Sequence, residues 1–175
     1  MSRVTMIDIY KHPVTQKYVR RSGLAHAIRV ADIALELARE RNVDVDLAVK
    51  AGFLHDMGHY LFYKNGKWDF EEYRTNDIHA IKGAERAHKL LIRLGEEPSR
   101  AKEVSMAVLL HTDSYLPAAN IQRTPLQQVV ADADELDEEP SGGHHYRTIT
   151  EEEAFTRLSS LDGRLKQAVA EAMHS

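Results

Sequence analysis

Apolar residues recur along this chain with the three-to-four spacing of helices almost throughout. The longest such stretch begins after Ser22, read as its N-cap, and runs to about Arg41. On it Arg29, Asp32, Glu36, Arg39 and Glu40 share one narrow arc, while Leu24, Ala27, Ile28, Val30, Ala31, Ile33, Ala34, Leu35, Leu37 and Ala38 fill the rest. An apolar arc that wide predicts a central, largely buried helix, and His26 lies inside it. Before it, Asp8 to Arg20 predicts a short helix or turn interrupted at Pro13. After it, Asp44 or Asp46 predicts the cap of a helix that ends at His55-Asp56.

The period fails from Gly58 to Asn76, where Asn65-Gly66 signals a turn; this stretch predicts a structured loop or lid carrying a small hairpin. Helical spacing returns from Asp77 to about Leu94 and stops at Gly95, with His79 at the edge of an apolar face that includes Gly83, where another backbone can come close. Pro98 or Ser99 opens a helix ending near His111, Pro117 to Pro125 reads as a connection, Leu126 to about Glu138 as a helix closed by Pro140 to Gly143, and Thr150 to Ala172 as the last helix. No strand-rich stretch or repeat interrupts this. The expected fold is all-α, one helical domain over 1–175 with a motif core of about 23–137.

Composition narrows the function classes. The chain has 175 residues, a formal net charge of -4 and no cysteine, so neither a broad basic surface for nucleic acid nor a thiolate metal site is expected. No stretch approaches the roughly 18 apolar residues of a membrane span, and the start MSRVTMIDIY has no signal-peptide core; the expected location is the cytoplasm. Ten histidines leave His, Asp and Glu to carry any metal chemistry.

The candidate chemistry starts at AVKAGFLHDMGHY, Ala48 to Tyr60. Burying the imidazole and carboxylate of His55-Asp56 at the end of an apolar run is costly without a partner, and a metal ion would satisfy both. His26, His55, Asp56, His79 and His111 all fall at helix positions facing a common core. Asp132 and Asp134 sit at opposite edges of the arc made by Leu126, Val129, Val130, Ala133 and Leu136, so periodicity leaves both open as a further carboxylate. A zinc-protease HExxH reading of His55 to His59 fails on the short Asp and on Gly58, and a calcium loop at Asp132 lacks its glycine. Lys82 and Arg86, with Glu85 between them, also read as a solvated face, and His144-His145 as an exposed loop from which His145 could reach into a cleft.

Taken in order, His26, then His55-Asp56 in AGFLHDMGH, then an Asp in VVADADELD, the chain resembles the HD-domain superfamily of metal-dependent phosphohydrolases over roughly Gly23 to Asp137. The resemblance implies an all-helical fold with His26, His55, Asp56 and Asp132 on one divalent metal, the first Asp of the VAD segment mapping onto Asp132. HAIKGAE and LLHTD look like the segments that supply a second metal's histidines, here His79 and His111, as in the bimetal branch that includes symmetrical diadenosine tetraphosphate hydrolases. The chain departs from the usual HD-x-G-K at His59. The activity implied by the resemblance is hydrolysis of a nucleotide-like phosphate ester or anhydride, using two divalent transition-metal ions drawn from Fe, Mn, Co, Ni or Zn. Asp56 and His59 would be catalytic, His59 as the acid or else Glu71 or Glu72, with Lys82, Arg86 and Arg29 on the phosphate. The alternatives are a di-iron oxygenase on the same ligands and a nucleotide-sensing module with a structural metal. A small phosphate substrate is the expected partner, and a homodimer is left open.

Overall fold

A computed structural model describes residues 3–59, 63–113 and 121–174. Residues 60–62 of the lid and 117–120 of the Pro117–Pro125 connection lie outside those residues. Among the described residues the fold is all-α apart from one short hairpin.

Pro13 divides two helices rather than breaking one: α1 spans Met6–Lys11 and α2 Pro13–Ser22, with His12 capping the second through Val14 N–H. Ser22 does not cap the long helix. It closes α2, its hydroxyl donating to the Tyr18 and Val19 carbonyls, and Gly23 at φ 114° makes the corner into α3, Leu24–Glu40. A residue with a Cβ rarely adopts that φ. Asp44, not Asp46, caps α4, Val45–Leu54, by accepting from Leu47 N–H, and every residue from Asp46 to Leu54 is buried. After the turn carrying His55 and Asp56, strands β1 (Tyr63–Lys64) and β2 (Lys67–Trp68) pair around Asn65-Gly66, and α5, Phe70–Asn76, follows with no buried residue. Then come α6, His79–Leu94; α7, Pro98–Leu109; α8, Pro125–Asp137; a 3-10 turn, Pro140–Tyr146; and α9, Glu151–Met173.

Helix α4 forms the axis of the packing. α3 and α8 lie against it and against each other, α6 and α7 pair as a hairpin whose α7 packs on α4, and α9 returns over α1, α3 and α4. Phe53 and Leu54 of α4, Ile28 and Leu35 of α3, Leu90 and Leu91 of α6 and Leu158 of α9 are essentially fully buried in one core. Side chains of this kind stabilise by roughly 1.5–3 kcal/mol each on burial. Asp162 of α9 joins the chain's ends by accepting from Met6 and Ile7 N–H, two of the donors the start of α1 leaves open. Among the described residues no helix is long and apolar enough to cross a membrane.

Inside that apolar packing sits one lysine. Lys50 has no exposed surface and its Nζ bonds Asp46 at 2.7 Å and Glu96 at 2.5 Å, while Arg100 and Arg3 reach the same Asp46 carboxylate at 2.9 and 3.2 Å. Removing one member of such a set leaves buried charge uncompensated, at a cost of about 3–5 kcal/mol. Asp46→Ala, which takes from Lys50, Arg100 and Arg3 the carboxylate they share and leaves Lys50 with Glu96 alone, is expected to lower unfolding free energy by about 3 kcal/mol. Lys50→Met fills the same space, leaves both carboxylates beside Arg100, and is expected to cost less; urea midpoints at unchanged slope measure both.

Candidate metal centre

The turn at the end of α4 delivers His55 and Asp56 inward because it cannot sit anywhere else. A Cβ on Gly58 would stand 1.8 Å from the His79 carbonyl oxygen and 2.3 Å from Gly83 N, so the backbone of this turn lies directly on the first turn of α6. Arg86 of α6 braces it from the side, donating to Met57 O at 2.9 Å while its guanidinium lies 3.8 Å from the centre of the Tyr18 ring. The close approach sets Asp56 between histidines from two directions.

On one side, His26 of α3 and His55 present their Nε2 atoms 3.2 Å apart, each 3.1 Å from Asp134 Oδ1 of α8 and 3.6 and 3.1 Å from Asp56 Oδ2. On the other, His79 at the start of α6 and His111 just past α7 present Nε2 atoms 3.2 Å apart, at 3.7 and 3.6 Å from Asp56 Oδ1. Asp56 therefore offers one oxygen to each half. His26, His55 and Asp56 are buried, as are His79 and His111.

The partners behind the rings decide which nitrogen faces inward. His55 and His111 bond through Nδ1 to the Gly52 and Val108 carbonyls at 2.7 and 2.6 Å, and His26 and His79 bond through Nδ1 to Asp137 and Asp77 carboxylates at 2.8 and 2.6 Å. All four partners only accept, so Nδ1 carries the hydrogen and the Nε2 lone pair points into the cluster. Nitrogen lone pairs 3.2 Å apart beside two carboxylates repel unless a positive charge lies among them. Without a metal that charge is a proton. Burial lowers His26, yet its hydrogen bonds with Asp134 and Asp56 override this and raise it to about 9. His55 is raised likewise against its burial by Asp56 and Asp134, and both carboxylates are held low in spite of burial by the facing imidazoles. Imidazole and carboxylate donors of this kind suit divalent transition metals, and His26, His55, Asp56 and Asp134 form a group able to hold one.

The expectation of Asp132 as the further carboxylate is corrected by the geometry of α8. Residues two apart on a helix point about 200° apart, so only one of Asp132 and Asp134 can face the cluster. Asp132 points away, bonded to Arg41 at 2.7 Å and Gln128 at 2.8 Å. Leu136, counted in the apolar arc, is 66% exposed, whereas Asp137 is buried; replacing one by the other turns the inward face toward Asp134.

The remaining candidates divide. His59 lies beside the second half, Nε2 3.2 Å from Asp56 Oδ1, its ring stacked 4.2 Å from His79, and its Nδ1 2.6 Å from the Tyr73 hydroxyl of α5. Glu71 and Glu72 do not join it: both are exposed, and Glu71 pairs with Arg74. Arg86 is taken up by Met57 O and Tyr18 rather than facing the cluster. Arg29 is exposed at the rim, 3.9 Å from Asp137, and Lys82 is half-buried on α6. Sequence reasoning missed Asp77, Asp137, Tyr73 and Arg147. Arg147 grips Asp137 at 3.0 Å and thereby holds the carboxylate behind His26. Asp77 alone left a sequence signal, two residues before His79 and at the start of a helix.

The HD domain family model matches residues 23–139. The chain belongs to the HD-domain family. It is 57% identical over 170 residues, 97% of each chain, to the Bacillus subtilis (strain 168) protein named "Putative phosphohydrolase YueE". It is 27% identical over 108 residues to a deoxyguanosinetriphosphate triphosphohydrolase-like protein of Desulfatibacillum aliphaticivorans, covering 62% of this chain and 30% of that one. The crystal structure of a predicted HD superfamily hydrolase from an uncultured Thermotogales bacterium matches with a TM-score of 0.50 at 26% identity, over 95% of this chain and 90% of that one. Together these make the chain a metal-dependent phosphohydrolase of the HD type.

In this HD centre Asp134→Ala is expected to weaken divalent-metal binding at least about tenfold and Asp132→Ala to leave it unchanged, measured by equilibrium dialysis against Mn²⁺. The reverse order would overturn the assignment of Asp134.

Proposed function

We propose that the chain hydrolyses a phosphate ester or anhydride of a nucleotide-like molecule on two divalent transition-metal ions, drawn from Fe, Mn, Co, Ni or Zn. His26, His55, Asp56 and Asp134 would hold one, and Asp56, His79 and His111 the other. The observation that carries this is Asp56: each of its oxygens faces its own pair of Nε2 lone pairs. The name of the deoxyguanosinetriphosphate triphosphohydrolase-like relative favours a nucleotide.

Cations held by these residues would supply Lewis acidity toward phosphoryl oxygens and would lower the pKa of a water toward neutrality. The protein's own part is to fix charge and direction. Asp56, held ionised by the imidazoles around it, ties the two halves together. Asp137, Asp77 and the Gly52 and Val108 carbonyls keep every Nε2 turned inward. His59, whose Nδ1 meets the Tyr73 hydroxyl that can give or take a hydrogen bond, would protonate the departing oxygen. Arg29 at the rim is the exposed cation beside Asp137, and Lys82 a second on α6.

Metal-loaded protein is expected to release product from bis(p-nitrophenyl) phosphate or from a nucleoside phosphate panel, and a chelator to abolish it. Asp56→Ala is expected to remove activity. His59→Ala is expected to slow nucleoside phosphates about a hundredfold or more but p-nitrophenyl esters much less, since p-nitrophenolate leaves without a proton. Oxygen uptake without phosphate-ester cleavage would overturn the hydrolase reading of this chain.

A further inference from the structure

The turn after α8, outside the family-matched 23–139, brings a further histidine to the centre. Ser141 at φ 62° and Gly142 at φ 71° bend the chain back, Glu139 N–H donates to His144 Nδ1, and Arg147 ties Glu139 and Asp137 together. The turn then lies on the α2–α3 corner: a Cβ on Gly23 would come within 3.0 Å of the His145 carbonyl oxygen. The ring of His145 ends 5.4 Å from the rings of both His26 and His59, one from each half of the centre, with Nδ1 3.9 Å from Asp56 Oδ2. Its side chain is 30% exposed where that of Asp56 is 7%, so it stands on the open side.

Its Nδ1 is 2.7 Å from the Ser22 carbonyl oxygen, which can only accept. Nδ1 therefore carries the hydrogen and cannot coordinate a metal, and Nε2, which has no hydrogen-bond partner among the described residues, keeps a lone pair. We propose that His145 is a substrate-contacting, specificity-determining residue whose Nε2 accepts a hydrogen bond from a hydroxyl of the phosphorylated molecule. Ionised phosphoryl oxygens are acceptors and cannot fill that place; a hydroxyl on the sugar side of the ester can. The inference rests on the phosphohydrolase reading and narrows its substrate to hydroxyl-bearing esters.

Adenosine monophosphate and its 2′,3′-dideoxy counterpart carry the same phosphate with and without hydroxyls, and calorimetry on the Mn²⁺-loaded protein compares them. The hydroxylated probe is expected to bind about tenfold tighter, the size of one hydrogen bond. His145→Asn keeps an N–H for Ser22 but has nothing at the Nε2 position, and is expected to erase the preference with Mn²⁺ content unchanged. His145→Gln restores an acceptor there and is expected to recover part of it. Equal binding of the two probes, neither binding while p-nitrophenyl phosphate is still cleaved, or a preference that survives in His145→Asn would overturn the inference and leave the function standing. Failure to cleave any phosphate ester takes down both.

Discussion

Crowded electron pairs govern this molecule. Four imidazole nitrogens face two carboxylates at 3.1 to 3.7 Å in a largely buried core. Nothing in the apolar packing requires such a grouping, and no arrangement of neutral side chains would tolerate it. Positive charge has to lie among these atoms, as protons or as metal. The rest of the fold serves to keep them from turning away: acceptor groups fixed behind each ring remove the tautomer that would relieve the repulsion.

Backbone proximity does the coarse positioning. Three of the six groups, His55, Asp56 and His79, come from the turn after α4 and the start of α6, which meet where Gly58 lies on His79 and Gly83. Arg86 shows how such a contact absorbs a charge. As a solvated cation it would have been free for an anion, but the carbonyl of Met57 and the face of Tyr18 occupy it, and it reinforces the turn that carries Asp56.

One difference separates the residues whose inward placement was legible in the sequence from those whose placement was not. Inward-facing histidines on strongly periodic helices announce themselves, because an imidazole inside an apolar arc is an exception that asks for a reason; His26, His55, His79 and His111 were legible on those grounds, as was the all-helical fold. The choice between Asp132 and Asp134 was not, because it turned on whether Leu136 or Asp137 belongs to the buried side of α8, and a leucine left in solvent beside a buried aspartate reverses the usual expectation. Ser22 misled for a related reason: a hydroxyl before a helix is a good cap, but the same hydroxyl can end the helix before it. Asp137 acts on His26 across 111 residues and left no local pattern, whereas His145 beside His144 could be read only as a loop histidine able to reach a cleft.

Helix α4 is held by polar clusters at two points along its length. From its first turn Asp46 joins Lys50 in the middle, with Glu96 and with arginines from the chain's beginning and from α7; just beyond its last turn stand His55 and Asp56. Sheathed in hydrocarbon between these points, it behaves as a strut clamped by ionic bonds that do not involve the metal. Emptying the centre would then leave its geometry standing, and a returning cation would meet a socket already shaped to receive it.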